Sequence, residues 1–336
     1  MQRRILIYSG RDEPEAAARA LALARAVLRR EPEATCVLAA RGVAPVADAP
    51  VGLAVLELPA LAPAPADGAG PAQVGGAQAA RVGLRLLNDL ALSFQPDVVV
   101  VDRDPLGALG ELATALAALS AMAPPPRTWL AMDDVDLIRV SRRPGALRAL
   151  ERTAGRYGAL LVFGEADACA PFVTAAVEAG RVPAVAYAGY GRFAAADTPW
   201  SSHVAAGRRT VVAPAGLVPG LALGTGGFER AVAGADLVVA TPDHPAVALA
   251  LAHGRSLVVL AGARAREAAD REPTEHVLRA RSLERRGRAR VLDRATLERT
   301  ELARFAAVAG AIPPPSGAHT APSTADRAAG LLLDTA

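Results

Sequence analysis

The sequence has no lysine, one asparagine (Asn88) and two cysteines in 336 residues. All 37 basic residues are therefore arginine. With Ala, Gly and Pro abundant, this usage matches the codon bias of a GC-rich genome, so each arginine carries less functional weight than usual. Two cysteines without neighbouring ligand types exclude a disulfide framework and a zinc site. Cys36, within ATCVLAA, and Cys169 read as small buried hydrophobes in a reducing cytoplasm. Aromatic residues are only 4% of the chain, so Ala, Val and Leu must build the core. No apolar run is long enough to span a bilayer: ALGELATALAALSAMAPPP (108–126) is interrupted by Glu111 and stopped by prolines. The opening MQRRILIYSG enters a strand after a few residues and shows no signal peptide, so a cytoplasmic location is expected. A strong charge of one sign is missing too. The 37 arginines face 34 acidic residues, for a formal charge of +3. The densest basic run, RARSLERRGRAR (279–290), has no interleaved aromatics, and no nucleic-acid partner is expected.

What is present is a strict alternation of short apolar runs and helical patterns. RRILIYSG (3–10), ATCVLAAR, LAVLELP (53–59), DVVVVD (97–102), RTWLAMDD (127–134), ALLVFGE (159–165) and VPAVAYAGYGR (182–192) read as buried strands. Between them, helical spacing marks EPEAAARALALARAVLRREP (13–32), AQAARVGLRLLNDLALSFQP, LGALGELATALAALSAM and GALRALERTAGRYG. A joint near 190–207 follows, and the pattern restarts at RRTVVAPAG (208–216), then ADLVVAT, the helix HPAVALALAHG, RSLVVLAG, the helix EPTEHVLRARSLERRG, RARVLD and a further helix. Alternating elements of this kind predict an α/β fold with a mostly parallel sheet in each of two halves. The expected domains are 1–190, 191–312, and a Pro-rich linker with a C-terminal helix over 313–336.

Several stretches resemble a known group. PDVVVVDRDPLGALGEL, with Asp102, Pro105, Gly107 and Glu111, is the most specific; WLAMDD, LLVFGE, AYAGYGR and ADLVVATPDHPAVALALAHGRSLVVL support it. Together they resemble the GT-B glycosyltransferases, especially the bacterial family similar to the peptidoglycan N-acetylglucosaminyl transferase. The resemblance implies two Rossmann-like doubly wound domains; because almost nothing intervenes between VVAPAGLVPG and GFERAVAGADL, where the family has further βα units, the second is expected to be shortened. The resemblance also implies a nucleotide-diphospho-sugar donor on the second domain, an acceptor on the first, and no cofactor or metal.

Ligands of doubly wound sheets sit beyond the carboxyl ends of strands, and diphosphates sit at helix N-termini. TPDHPA (241–246) lies in such a place, with Pro245 suited to a first helical turn. The expected donor-binding residues are Gly216, Thr241, Asp243, His244, Pro245, Ala246, Glu275 and His276; Gly10, Asp104 and Asp133 are expected on the acceptor side. Sugar transfer with inversion also needs a general base. Asp12 and Glu13 follow the first strand and are the catalytic candidates; alternatively, these acids only cap the next helix. MDDVD reads as a solvated acidic loop.

The departures from the family matter equally. Glu15 and Ala16 stand where the family has Gly-His. Counting back from AHG, the family's ribose-binding glutamate falls at Leu249 and its threonine at Ala246. Two functional readings stay open: a glycosyltransferase acting on a small-molecule or lipid-linked acceptor, or an impaired relative that binds a sugar nucleotide or a protein partner without turnover. The missing Gly-x-Gly-x-x-Gly after the first strand argues against a dinucleotide enzyme.

Overall fold

Ile5, Leu6, Ile7 and Tyr8 form an unbroken apolar run, and in the computed structural model they lie in β1 (Arg4–Ser9), a central strand of a parallel sheet. The structure describes residues 2–11, 14–41, 49–60, 76–166, 169–171, 173–174, 177, 184–189, 200–205, 209–215, 217–218, 222–224, 227–242, 245–261, 275–293 and 324–334.

The first sheet adds β2 (Thr35–Ala40), β3 (Leu53–Glu57), β4 (Val98–Asp102), β5 (Arg127–Asp133), β6 (Ala159–Phe163) and β7 (Val185–Tyr187). Its order is β3-β2-β1-β4-β5-β6-β7, every pairing parallel. All seven strands fall on the apolar runs that predict them. Both faces are covered, which is why β4 is four consecutive valines, all buried, before Asp102. Helices of this half include α1 (Pro14–Arg30), α2 (Gly76–Phe94), α3 (Ala113–Ser120), α4 (Asp134–Arg142) and α5 (Pro144–Thr153).

Two local expectations are corrected. The helical pattern over 106–122 becomes α3 only from Ala113, because Gly107 and Gly110 adopt φ of +85° and +79° and fold the preceding residues into turns. MDDVD is not a solvated loop. Asp133 ends β5 and N-caps α4, accepting a hydrogen bond from the Asp136 amide at 2.8 Å, and Asp134 and Asp136 are buried in the first turn.

The second sheet contains β8 (Trp200–Ala205), β9 (Arg209–Pro214), β10 (Ala222–Leu223), β11 (Leu237–Ala240), β12 (Ser256–Ala261) and β13 (Arg290–Asp293), in the order β10-β8-β9-β11-β12-β13. The four strands from β9 to β13 along that order are parallel, whereas β8 pairs antiparallel to β9, and β10 to β8. The polar stretch WSSHVA, read as part of the joint, thus supplies the strand that flanks β9. Its helices are α6 (Phe228–Gly234), α7 (Pro245–Ala252) and α8 (Glu275–Arg285).

The last described helix, α9 (Thr324–Asp334), returns to the first half. Ala325, Ala328, Ala329 and Leu332 pack with Ile5, Ile7, Leu23 and Val27 on the α1 face of the sheet. Arg127 and Arg3 donate to the Leu332 and Leu333 carbonyls at 3.0 and 3.3 Å, satisfying acceptors that a helix end leaves unpaired. On the opposite face Leu6, Tyr8, Val99, Val101, Leu130 and Met132 belong to a buried cluster that also includes Val212, Phe228, Val238 and Leu249 of the second half. Among the described residues, no helix is long and apolar enough to cross a membrane.

Candidate functional site

The chain leaves β1 in one direction to build β2 and β3, then crosses to β4 on the other side of β1. The crevice beyond the carboxyl ends of β1 and β4 is the position where an open α/β sheet receives ligands. Gly10 and Arg11 enter it from β1, Arg103 and Asp104 from β4. Arg11 grips Asp104 through two parallel bonds, Nε to Oδ2 at 2.8 Å and Nη2 to Oδ1 at 3.0 Å. Arg103 sits at φ +66°, a left-handed conformation uncommon for a side chain of its size.

Beneath this crevice lies a closed polar knot. Tyr8 Oη donates to Glu111 Oε1 at 2.6 Å, and Arg41 Nη1 donates to the same oxygen at 2.6 Å and to the Gly10 carbonyl at 2.8 Å. The Leu109 amide donates to Glu111 Oε2 at 2.7 Å. Burial alone would raise the Glu111 carboxyl, but the hydrogen bonds from Tyr8, the backbone and Arg41 outweigh it and hold the group below its ordinary value. Burial, with Glu111 beside it, pushes the Tyr8 phenol far up, so it stays a donor.

On the α1 side of the sheet the acidic ends of β4 and β5 meet a cluster of arginines. Arg19, from α1, reaches Asp102 at 2.6 Å and Asp133 at 3.3 Å while its guanidinium lies over the Phe163 ring, 5.3 Å from the centroid. Arg103 pairs with Asp133 and Asp136, both at 3.0 Å, and Arg139 with Asp136 at 3.0 Å. Burial pushes Asp102 above its ordinary range. It pushes Asp134 up as well, opposed by Arg279. Burial together with the neighbouring Asp133 carboxylate pushes Asp136 up to about 7, against the pull of Arg103 and Arg19. Asp133 goes the other way: burial raises it, but Arg103, Arg19 and the Asp136 amide hold it well below the carboxylate range.

The residues expected on the acceptor side lie at the carboxyl ends of three strands of the first sheet: Gly10 after β1, Asp104 after β4 and Asp133 at the end of β5. Each is already engaged: Gly10 through its carbonyl, Asp104 with Arg11, and Asp133 as a helix cap and arginine partner. Asp12 and Glu13 lie outside the described residues, as do Gly216, Asp243 and His244.

On the second half, Thr241 and Pro242 follow β11, and α7 starts at Pro245. Ala246 and Leu249 are both 0% exposed and pack in the apolar core beneath that helix. Glu275 and His276 open α8. The residue that organises this edge is one that the sequence pattern does not single out. Arg279, buried in α8, donates from Nη1 to the Pro242 carbonyl at 2.6 Å and from Nε to Asp134 Oδ2 at 2.8 Å in the first half. A second ion pair between the halves joins Arg288 to Glu165 at 2.8 Å.

Reading the arginines as compositional bias overlooks Arg11, Arg19, Arg41, Arg103 and Arg279. The sequence does carry a signal for Arg19, which falls four residues before Leu23 on the apolar stripe of α1, a place where an arginine needs a buried partner.

No protein-family model matches the chain, and no curated protein matches it. Solved structures do. The glycosyltransferase SnogD from Streptomyces nogalater superposes with a TM-score of 0.53 at 15% identity, covering 100% of both chains. A UDP-glucose:anthocyanidin 3-O-glucosyltransferase in complex with UDP gives 0.57 at 9% identity over 99% of this chain and 98% of its own. Medicago truncatula UGT71G1 complexed with UDP-glucose gives 0.56 at 8% identity, again over 99% and 98%. The chain has the GT-B fold. In GT-B terms the first sheet is the N-terminal Rossmann-like half and the second sheet the C-terminal half, and Arg279 joins the second to Asp134 of the first.

Proposed function

We propose that the protein transfers a sugar from a nucleotide-diphospho-sugar donor to an acceptor hydroxyl, with the donor on the second half and the acceptor on the first. The observation that carries this reading is the start of α7 at Pro245, directly beyond the carboxyl end of β11 in a GT-B fold. The positive end of a helix dipole lies at its N-terminus, and a diphosphate is a ligand that such a terminus suits. Thr241, Asp243, His244, Pro245, Ala246 and Gly216 form the donor edge in this proposal, with Glu275 and His276 at the start of α8. The Ala246 side chain is buried in the core, so it makes no side-chain contact with a donor. In the reaction, a base takes the proton of the acceptor hydroxyl and the oxygen attacks the anomeric carbon. The bond from sugar to phosphate breaks, and the nucleoside diphosphate leaves with the negative charge that helix amides stabilise. Asp12 or Glu13 acts as that base.

One observation favours the second reading, binding without turnover. The described acceptor-side carboxylates Asp104 and Asp133 both have their two oxygens engaged, Asp104 by Arg11 and Asp133 by the Asp136 amide and Arg103, so neither is free to take a proton from an acceptor hydroxyl.

Calorimetric titration with uridine, thymidine and guanosine diphosphates and their sugars tests the proposal; two of the structural neighbours hold UDP or UDP-glucose, so the uridine series comes first. Micromolar binding that His244→Ala or Glu275→Ala weakens at least about tenfold is expected. Donor consumption with an acceptor panel then separates transfer from binding alone. Absence of binding across the series overturns the transferase reading and leaves the second reading only its protein partner.

A further inference from the structure

Arg279 is bonded at once to the backbone carbonyl of Pro242, at the end of β11, and to the Asp134 carboxylate at the start of α4. It is 8% exposed. A buried guanidinium uses its planar fork to hold two acceptors in fixed relation, which a flexible surface pair does not do. Asp134 is fixed in turn: its Oδ1 accepts from the Val135 amide at 3.1 Å, and α4 is anchored by the Asp133 cap and by Arg103 across to Asp136. An unbroken chain of bonds thus runs from the β5 end of the first sheet, through Asp134 and Arg279, to the Pro242 backbone beyond β11 in the second.

We propose that Arg279 is a positioning residue that sets the Thr241–Pro242 backbone beyond β11 according to the position of α4, so that the first half controls the geometry of the donor side. This rests on the reading of that side as the diphosphate site, and it predicts an effect at a distance. In this chain of bonds Asp134 reaches the second half through Arg279, yet its loss should loosen Thr241 and the first turn of α7. The ion pair between Arg288 and Glu165 joins the same two halves at a different place, so it serves as the internal comparison.

The test is amide hydrogen exchange on the full chain, comparing wild type with Asp134→Asn, Arg279→Leu and Glu165→Gln. The expected result is exchange faster by about tenfold at Thr241 and in the first turn of α7 for Asp134→Asn and Arg279→Leu, with Glu165→Gln near wild type there. If Arg279→Leu does not fold, the isosteric Asp134→Asn decides alone. Unchanged exchange in Asp134→Asn, or an equal increase in Glu165→Gln, overturns the proposal. Titration with UDP separates it from the underlying reading. Failure of wild type to bind UDP, thymidine diphosphate or guanosine diphosphate removes the nucleotide site, while the exchange data still decide the coupling. If wild type binds one of them, about tenfold weaker binding by Asp134→Asn, but not by Glu165→Gln, supports positioning of the diphosphate edge, and equal binding by wild type and Asp134→Asn overturns it.

Discussion

The Tyr8 hydroxyl occupies the space that a side chain at Gly10 would need: a Cβ built there overlaps the phenol oxygen and meets Tyr8 Cζ at 2.5 Å. Gly107, at φ +85°, faces the same hydroxyl from the other side of the crevice, its Cβ position 2.8 Å from both Tyr8 Oη and Glu111 Oε2. Two glycines far apart in sequence are therefore demanded by one buried tyrosine. Gly10→Ala is expected to destabilise the protein by about 1–3 kcal/mol, because the overlapping partner is a ring locked by Glu111 rather than a flexible chain end. Urea denaturation measures it; a change below about 0.5 kcal/mol, the range of an ordinary surface substitution, would show that the strand end yields freely.

Arg41 and Glu111 are a fully buried pair, both at 0% side-chain exposure and 2.6 Å apart. Removing one partner strands the other charge in a low-dielectric interior. Arg41→Met or Glu111→Leu alone should each cost about 3–5 kcal/mol, while the double variant recovers much of that loss. A double-mutant cycle by chemical denaturation gives the coupling, and simple additivity of the two losses would refute the pairing.

Asp136 gives a pH signature. Its folded value of about 7 lies above the ordinary carboxylate value of 3.8, so between those limits the folded protein holds a proton that the unfolded chain has released. Its contribution to stability is complete below the unfolded value and is lost as pH rises towards 7, at up to about 1.4 kcal/mol per pH unit. Asp136→Asn, neutral throughout, should gain stability relative to wild type as pH is raised from 4 to 8. If Asp136→Asn instead loses ground over that range, Asp136 is an ionised partner of Arg103 and Arg139.

Leu249 stands where the resembling family places its ribose-binding glutamate, but it is sealed in the core beneath α7. Leu249→Glu should therefore not restore a ribose contact. It should destabilise the protein by more than about 3 kcal/mol, as an unpaired buried carboxyl does. Tighter UDP binding by a stably folded Leu249→Glu would overturn that placement.

Much of the architecture is legible in the amino-acid sequence. Each strand of the first sheet lies on a predicted run; in β1, β2, β4 and β6 consecutive apolar residues between turn signals satisfy a strand buried on both faces, whereas β3 and β7 are the part-exposed edges. Strand β8 escapes such a reading because WSSHVA lacks an apolar run. The late start of α3 escapes it because the conformation of Gly107 is tied to its contacts with Tyr8 and Glu111, which its neighbours in sequence do not reveal.

The candidate site is legible in place but not in composition. Gly10 and Asp104 follow, and Asp133 ends, strands that periodicity identifies, so their placement at the carboxyl end of the sheet is predictable. Their partners are not.

What the sequence determined by itself is the order and kind of elements, because apolar period, helix caps and glycine turns act over a few residues. Tertiary structure decided which charges meet. Arg19 finds Asp102 across 83 residues, Arg41 finds Glu111 across 70, and Arg279 finds Asp134 across 145. In a chain with 37 arginines and 34 acids, no local rule selects those partners. The packing of the sheet and its helices does, because a buried charge is tolerated only where a partner of opposite sign is already held within bonding distance.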